Sequence, residues 1–210
     1  MSYINLKNVS RTIKHKRILQ NINLNIEKGT ITGFVGPNGS GKTMLFRAIL
    51  GMIKLDSGEI EINGEKISLG SSPQVNIGTI LGTPGFINNY TALDNLKYLA
   101  AIKNEIQEKQ TLEAMQLFDM IDHKDEKVKS FSLGMRQKLA IIQAIMEDQE
   151  LIVLDEPTNG LDEASVQTFE DKLRELKNED KTILIASHDR FVIQSVADQV
   201  YQVNEGKVSV

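Results

Sequence analysis

The chain contains no cysteine and no tryptophan among its 210 residues, and only 5% of its residues are aromatic. The absence of cysteine excludes disulfides, thiolate metal sites and cysteine nucleophiles, and it is typical of a protein in a reducing cytoplasm. The formal net charge of -4 argues against a protein that coats nucleic acid, because neutralising phosphates requires clustered lysine and arginine. We therefore expect no nucleic-acid partner.

Long hydrophobic runs are also missing. No stretch approaches the roughly 18 consecutive apolar residues of a membrane helix, and the first residues lack the apolar run that is typical of a secretory signal. If the protein acts at a membrane, we expect another chain to cross that membrane. The length predicts one substantial domain with its own core.

Short apolar strands alternate with helical patterns along most of the chain. The periodicity predicts strands at residues 3–9, 22–26, 30–35, 59–62, 75–81, 151–154, 182–186, 200–203 and 207–210. It predicts helices at residues 42–53, 163–177 and 190–196, and mostly helix over residues 91–146. Thr91 and Ser132 are predicted helix caps. This alternation indicates an α/β protein with a largely parallel sheet that is covered on both faces.

One segment between a predicted strand and a predicted helix matches the pattern G-x-x-x-x-G-K-[ST]. Its residues are Gly36, Pro37, Asn38, Gly39, Ser40, Gly41, Lys42 and Thr43. Glycines allow backbone N–H groups to converge on a triphosphate, and the following helix N-terminus adds partial positive charge. Lys42 is expected to contact the β- and γ-phosphates and Thr43 to bind Mg²⁺. The alternative, a simple glycine-rich turn, does not explain the Lys-Thr pair or the context.

Two carboxylates, Asp155 and Glu156, follow the apolar run at residues 151–154. A buried strand would deliver both groups to the carboxyl edge of the sheet, where open α/β folds bind ligands. We expect Asp155 to hold Mg²⁺ and Glu156 to polarise the water that attacks the γ-phosphorus. The alternative is an exposed strand end that leads into the turn at Pro157.

These motifs, with their order and spacing, resemble the nucleotide-binding subunits of ABC transporters over essentially the whole chain. Residues 130–137 resemble the family signature L-S-G-G-Q, which they match at Ser132 and Gly134. The same segment departs from the signature at Phe131, Leu133 and Met135. Residues 160–162 resemble the D-loop of the family, and residues 186–189 resemble its switch segment.

The resemblance implies a phosphate-loop NTPase of the ABC-ATPase fold. Such a fold has a mainly parallel core, an N-terminal antiparallel β subdomain and an inserted helical subdomain. The implied division is a nucleotide-binding core at residues 1–82 and 148–210, and a helical signature subdomain at residues 83–147.

The resemblance also implies an ATPase that works as a homodimer or with a paired nucleotide-binding subunit. Ser132 and Gly134 of one copy would complete the ATP site of the other, and Asp162 would link the two sites. His188 would contact the γ-phosphate and the attacking water. The alternatives are that Ser132 and Asp162 only cap helices, and that His188 is an ordinary polar residue at a strand end.

Within the family, the sequence around residues 77–86 and 131–135 resembles that of the bacterial exporters of bacitracin, lantibiotics and other peptide antibiotics. This implies an integral membrane partner and a cytoplasmic location on the inner face of the membrane. The docking surface is expected beside residues 82–99, where Phe86, Ile87 and Tyr90 either form an apolar patch or pack inside. The alternative function is a non-transport ABC ATPase that acts on ribosomes or DNA.

Two residues that the family usually has are missing. Gly82 stands where a Gln or Glu side chain usually reaches Mg²⁺ and the attacking water, and Ile13 stands where an aromatic ring usually stacks on adenine. Ile13 would still bury the adenine face, but without the ring-stacking contribution of about 0.5–1.5 kcal/mol. We therefore expect weak ATP binding and slow turnover in the isolated subunit.

Overall fold

The computed structural model describes residues 2–71, 73–103 and 106–210, except for the side chain of Lys103. Two sheets make up its framework, and the described helices pack around the larger one. The predicted helical stretch at 91–146 includes residues 104–105, which lie outside the described residues. The α/β class is confirmed.

The smaller sheet is antiparallel and has four strands in the order β2-β1-β4-β5. Its strands are β1 (Ser2–Ile13), β2 (Lys16–Glu27), β4 (Ser57–Ile62) and β5 (Glu65–Ile67). The first two are longer than predicted, because their ladder continues past the half-buried residues to the exposed pair Ile13 and Lys16. Lys14 and His15 connect them, both at positive φ.

The larger sheet has six strands in the order β10-β9-β3-β8-β7-β6. Its strands are β3 (Ile31–Val35), β6 (Ile77–Ile80), β7 (Leu151–Asp155), β8 (Thr182–Ser187), β9 (Gln199–Asn204) and β10 (Lys207–Ser209). All neighbours are parallel except β9 and β10, which form a closing hairpin. The strand predicted at residues 75–81 is shorter in the structure.

The central strands are buried on both faces, as a parallel sheet between two layers requires. In β7, Leu151 and Val153 join the core on the side of the antiparallel sheet, whereas Ile152 and Leu154 join the core on the side of the helices. Asp155 ends this strand and is 6% exposed. The apolar strand therefore delivers a carboxylate to the sheet edge.

Six α-helices complete the described fold: α1 (Lys42–Ile49), α2 (Ala92–Lys103), α3 (Glu108–Leu117), α4 (Leu133–Ile145), α5 (Glu163–Asn178) and α6 (Arg190–Val196). Helix α1 ends earlier than predicted, because Gly51 has φ +67° and the N–H of Met52 donates to Arg47 O, which closes the helix. Both predicted caps are confirmed: Thr91 Oγ1 accepts from Asp94 N, and Ser132 Oγ accepts from Met135 N.

Helices α2 to α4 lie between β6 and β7 in the chain. Their apolar side chains form one continuous core with the main sheet, in which Met115 and Phe118 belong to the same cluster as Ile80 and Ile152. The division at residues 83 and 147 stays a prediction, since no separate core marks it. Among the described residues, no helix has the length and apolar character that spanning a bilayer requires.

Candidate functional site

The loop at residues 36–43 joins β3 to α1 and turns tightly at the edge of the main sheet. Gly39 and Gly41 have φ of +79° and +117°, which other residues adopt only with strain. A side chain at Gly41 would also meet Ile18 O at 3.1 Å. The loop shape therefore depends on the glycine spacing of the motif, and it leaves the first N–H groups of α1 available to an anion.

Lys42 begins α1, and its side chain is almost completely buried, with 5% exposed. Its Nζ donates to Gly36 O at 2.7 Å and lies 3.3 Å from Glu156 Oε1. The ammonium group is therefore held inside the curve of the loop, where the β- and γ-phosphates of a nucleotide would lie.

Thr43 and Asp155 are 112 residues apart in sequence, and the fold brings them into contact. Thr43 Oγ1 donates to Asp155 Oδ2 at 2.5 Å. Burial raises the pKa of Asp155, and the negative charge of Glu156 raises it further, while the Thr43 hydroxyl opposes this shift. A bound cation would offset the cost of burying this carboxylate.

The oxygen atoms at this point suit Mg²⁺. Asp155 Oδ1 is buried and has no hydrogen-bond partner in the described parts of the chain, and the Thr43 hydroxyl lies beside the same carboxylate. Mg²⁺ prefers oxygen ligands and usually binds one or two protein groups together with water and substrate phosphates. Thr43 and Asp155 fit that role.

Glu156 lies between the loop and the switch segment, and its two carboxylate oxygens face different partners. Oε1 faces Lys42, whereas Oε2 contacts His188 Nδ1 at 2.8 Å and accepts from Ser187 Oγ at 3.2 Å. The backbone of Glu156 has φ +52°, which is unusual for a non-glycine residue, and its N–H donates to Ala186 O. Such strain is found at functional sites, where surrounding contacts hold it.

The signature segment at residues 130–137 leads into helix α4. Ser132 caps α4 and is exposed, and Leu133 is 67% exposed. A side chain at Gly134 would meet Gly160 O at 2.6 Å, so the start of α4 packs against the D-loop of the same chain. Among the described residues, Ser132 and Gly134 make no hydrogen bond to residues 36–43.

Asp162 caps α5, because its Oδ1 accepts from both the N–H and the hydroxyl of Ser165, at 2.8 and 2.7 Å. These bonds lower the pKa of Asp162. The capping alternative is therefore observed. A link between two ATP sites stays a prediction.

A cavity of about 570 Å³ adjoins the phosphate loop on the side of the β1–β2 hairpin. The lining comes from that hairpin, from the phosphate loop and from the β9–β10 turn: His15, Lys16, Arg17, Ile18, Gln20, Pro37, Asn38, Gly39, Ser40, Asn204, Glu205 and Gly206. Ile13, the predicted adenine contact, is 36% exposed at the end of β1 and is not among the lining residues.

A second cavity, of about 520 Å³, lies beside Gly82. Gly82 has φ +73° and open space where a side chain would begin. The apolar residues that follow in sequence differ in burial. Phe86 packs against the main core, whereas Ile87 and Tyr90 are 41% and 46% exposed. Of the two alternatives for these residues, interior packing holds for Phe86 alone.

Gln137 and Ser187 belong to segments identified from the sequence, but their contacts were not foreseen. Gln137 is buried in α4 and donates from Nε2 to Pro157 O at 2.8 Å, which joins α4 to the turn after Glu156. Ser187 contacts the Glu156 carboxylate. A polar residue on the buried face of a predicted helix was the available signal for Gln137.

This arrangement of a phosphate loop, a buried cation and two carboxylates at parallel strand ends defines a phosphate-loop nucleotide hydrolase. A family model described as ABC transporter matches residues 19–159. The chain belongs to the ABC transporter family, as its ATP-binding and ATP-hydrolysing component.

Three relatives cover nearly the whole chain. An ABC transporter ATP-binding protein of Bacillus subtilis, YybJ, is 38% identical over 98% of this chain and 94% of its own length. The bacitracin transport ATP-binding protein BcrA of Bacillus licheniformis is 38% identical over 92% of this chain and 64% of its own length. The lantibiotic transport ATP-binding protein SrtF of Streptococcus pyogenes is 32% identical over 98% of this chain and 88% of its own length.

Solved structures agree with the fold. The dimeric bacterial ABC transporter cassette MJ0796 superposes with a TM-score of 0.91 at 27% identity, covering 99% of this chain and 97% of that one. A post-hydrolysis dimer of the same cassette, bound to ADP and Pi, gives a TM-score of 0.90 at 26% identity over the same shares of the two chains.

Proposed function

We propose that this subunit binds ATP with Mg²⁺ and works in pairs on the inner face of the membrane. ATP hydrolysis by this subunit energises a separate membrane-spanning partner that exports peptide antibiotics or other drugs. Pairing can be with a second copy or with a similar nucleotide-binding subunit. Residues 36–43 bind the ATP, Thr43 and Asp155 hold the metal ion, and Glu156 and His188 act in catalysis.

The position of helix α4, which begins at the signature residues Ser132 and Gly134, supports the pairing of two subunits. Helix α4 begins at an exposed end, beside the D-loop of its own chain and without a hydrogen bond to the described phosphate loop. A helix N-terminus attracts anions through its free N–H groups and its dipole. The exposed start of α4, at Ser132 and Gly134, therefore suits the γ-phosphate of an ATP molecule that a second subunit holds, with Asp162 near the junction.

The chemistry follows from the contacts. Lys42 and the loop N–H groups bind the triphosphate. Thr43 and Asp155 would hold Mg²⁺, which would supply positive charge against the negative charge that develops in transfer. Glu156 orients the attacking water and accepts its proton, a role worth about 10²–10⁴-fold in rate. His188 and Ser187 hold the Glu156 carboxylate in place through Oε2.

The cargo is proposed from the relatives, since BcrA and SrtF are named for bacitracin and lantibiotic transport. The exposed side chains Ile87 and Tyr90 suit the contact with the membrane partner. A non-transport role on ribosomes or DNA is not favoured, because the relatives above are transport components.

The test is to purify this subunit from detergent-solubilised membranes and to reconstitute it in liposomes with any membrane protein that co-purifies. We expect one integral membrane protein to co-purify, and the ATPase rate of the pair to rise when bacitracin or a lantibiotic is added. An Ile87→Asp/Tyr90→Asp variant should lose the partner, whereas Leu69→Asp, at another exposed apolar residue, should retain it. Failure to recover any membrane protein would contradict transport. A pair that responds to no peptide would contradict the cargo alone.

A further inference from the structure

The turn at residues 156–160 has an unfavourable backbone at its first residue. Glu156 has φ +52°, in the left-handed region, and the next residue is Pro157. Steric contact with proline drives the preceding residue to extended conformations at negative φ, so surrounding contacts must hold Glu156 where it is. On one side, the N–H of Glu156 donates to Ala186 O at 2.8 Å. The other side cannot be held through the N–H of the next residue, because proline has none.

Gln137 supplies the contact on that side from helix α4. Its Nε2 donates to Pro157 O at 2.8 Å and to Glu156 O at 3.5 Å, and Glu156 O also accepts from Asn159 N at 3.4 Å. Gln137 is 6% exposed and Pro157 is buried, so water has little access to these bonds. One buried amide therefore anchors two consecutive carbonyl groups of the turn.

Two close approaches keep the start of α4 against the same turn. A side chain at Gly134 would meet Gly160 O at 2.6 Å, and a side chain at Gly160 would meet Leu133 Cδ2 at 2.9 Å. Leu133 and Gln137 are four residues apart, and residues at that spacing lie on the same face of a helix. This face of α4 therefore contacts the turn near both of its ends, and it forms a firm backing for Glu156.

We propose that Gln137 is a positioning residue for the Glu156 of its own chain. The proposal rests on the proposed function of Glu156 as the general base. Without the amide, the turn relaxes towards the negative φ that proline favours in the preceding residue, and the carboxylate moves away from Lys42 and His188. A displacement of about 1 Å near the reacting groups can cost about 10²-fold in rate. Helix α4 thus faces a second subunit with its first residues, whereas Gln137, one turn later, sets the base of its own subunit.

Steady-state turnover and nucleotide affinity of Gln137→Met test this role. Methionine fills a similar volume but has no N–H to donate, so turnover should fall by about 10-fold or more, while the Kd for ATP should change less than about 3-fold. Gln143→Met makes the same change at a half-buried position later in α4, and it should behave as the wild type. Gln137→Asn, whose amide is one methylene shorter, should be slowed like Gln137→Met, and it replaces that variant if methionine prevents folding.

Mixed pairs separate this role from a structural one. In the proposed pair, the start of α4 serves the ATP of the partner, so general damage to α4 would slow the site of the other subunit. The reference is a pair of Glu156→Gln and wild-type copies, isolated through different tags, in which one site works. Adding Gln137→Met to the copy that keeps Glu156 should lower the rate by about 10-fold. Adding Gln137→Met to the copy that already carries Glu156→Gln should leave the rate of the reference unchanged.

The outcomes distinguish this inference from the proposed function. Full turnover by Glu156→Gln would refute the proposed base itself, and with it the role of Gln137. If Glu156→Gln is inactive but Gln137→Met turns over at the wild-type rate, only the role of Gln137 is wrong. The same conclusion follows if both mixed pairs are slowed alike, or if their order is reversed. If no pair of copies can be isolated, pairing is with a different subunit, and the single variants decide the role of Gln137.

Discussion

Lys42 Nζ lies 3.3 Å from Glu156 Oε1, so the cation expected to bind the phosphates contacts the carboxylate expected to activate water. A γ-phosphate that binds Lys42 competes with Glu156 for the same ammonium group. We therefore expect nucleotide binding to release Glu156, the proposed general base, from this contact.

Glu156→Gln should leave ATP bound but unhydrolysed. The amide is isosteric but cannot accept the proton, so turnover should fall by about 100-fold or more. Affinity for ATP should be equal or higher, because a neutral amide competes less for Lys42. Gel filtration with ATP should show a dimer, whereas Glu113→Gln, on the exposed face of α3, should behave as the wild type. A variant that binds ATP and remains monomeric would contradict the paired site.

His188→Ala should reduce turnover by about 10-fold or more while nucleotide affinity changes little. His188 contacts Glu156 Oε2 at 2.8 Å, so its loss frees the carboxylate to rotate away from the attacking water. His123→Ala is a close control, because His123 makes the same kind of contact, to Glu126 at 2.9 Å, on the surface. Equal steady-state rates for the two variants would show that His188 has no part in the chemistry.

Gly82→Gln should raise the ATPase rate of the isolated subunit. The position has open space for a side chain, and the family usually has a Gln or Glu there. The φ of +73° adds strain, so the melting temperature should fall slightly. Gly85→Gln is the control, because Gly85 also has open space around it. A folded Gly82→Gln protein with no gain in rate would mean that the missing side chain does not limit turnover.

Asp162→Asn should be less stable than the wild type at neutral pH. The bonds from Ser165 lower the pKa of Asp162, so its ionised form stabilises the folded state. This contribution is complete above the unfolded pKa of about 3.9 and is lost as the pH falls through the lower folded value. Urea unfolding of both proteins at several pH values should show a gap that is steady above pH 5 and narrows below about pH 4. A gap that does not depend on pH would assign the stability to the cap geometry alone.

Much of the fold could be predicted because its signals are local. Residues 151–154 are apolar on both faces, which is typical of a central parallel strand, and Thr91 and Ser132 precede helical patterns as caps do. The boundaries of β1 and β2 were less predictable, because exposed ladder residues carry no hydrophobic alternation. The end of α1 depended on the positive φ of Gly51, which the helical pattern did not reveal.

Some parts of the candidate site could likewise be predicted from local sequence, and others could not. The phosphate loop, the pair Asp155 and Glu156, and the signature segment are each contiguous, so spacing and residue type were enough to identify them. The sequence did not indicate that Ile13 would lie outside the lining of the cavity. It also did not indicate that the β9–β10 turn, near the other end of the chain, would line the same cavity as Lys16 and Arg17.

By itself the sequence determined that this chain binds a nucleoside triphosphate and which family its motifs resemble, because a phosphate loop needs particular residues at fixed spacing. Tertiary structure alone decided which charges meet. Lys42 faces Glu156, and Glu156 faces His188, because parallel strands end at one sheet edge and bring residues from separate segments of the chain into contact. The same packing leaves the start of α4 exposed beside the D-loop, and this contact joins two segments that no local pattern connects.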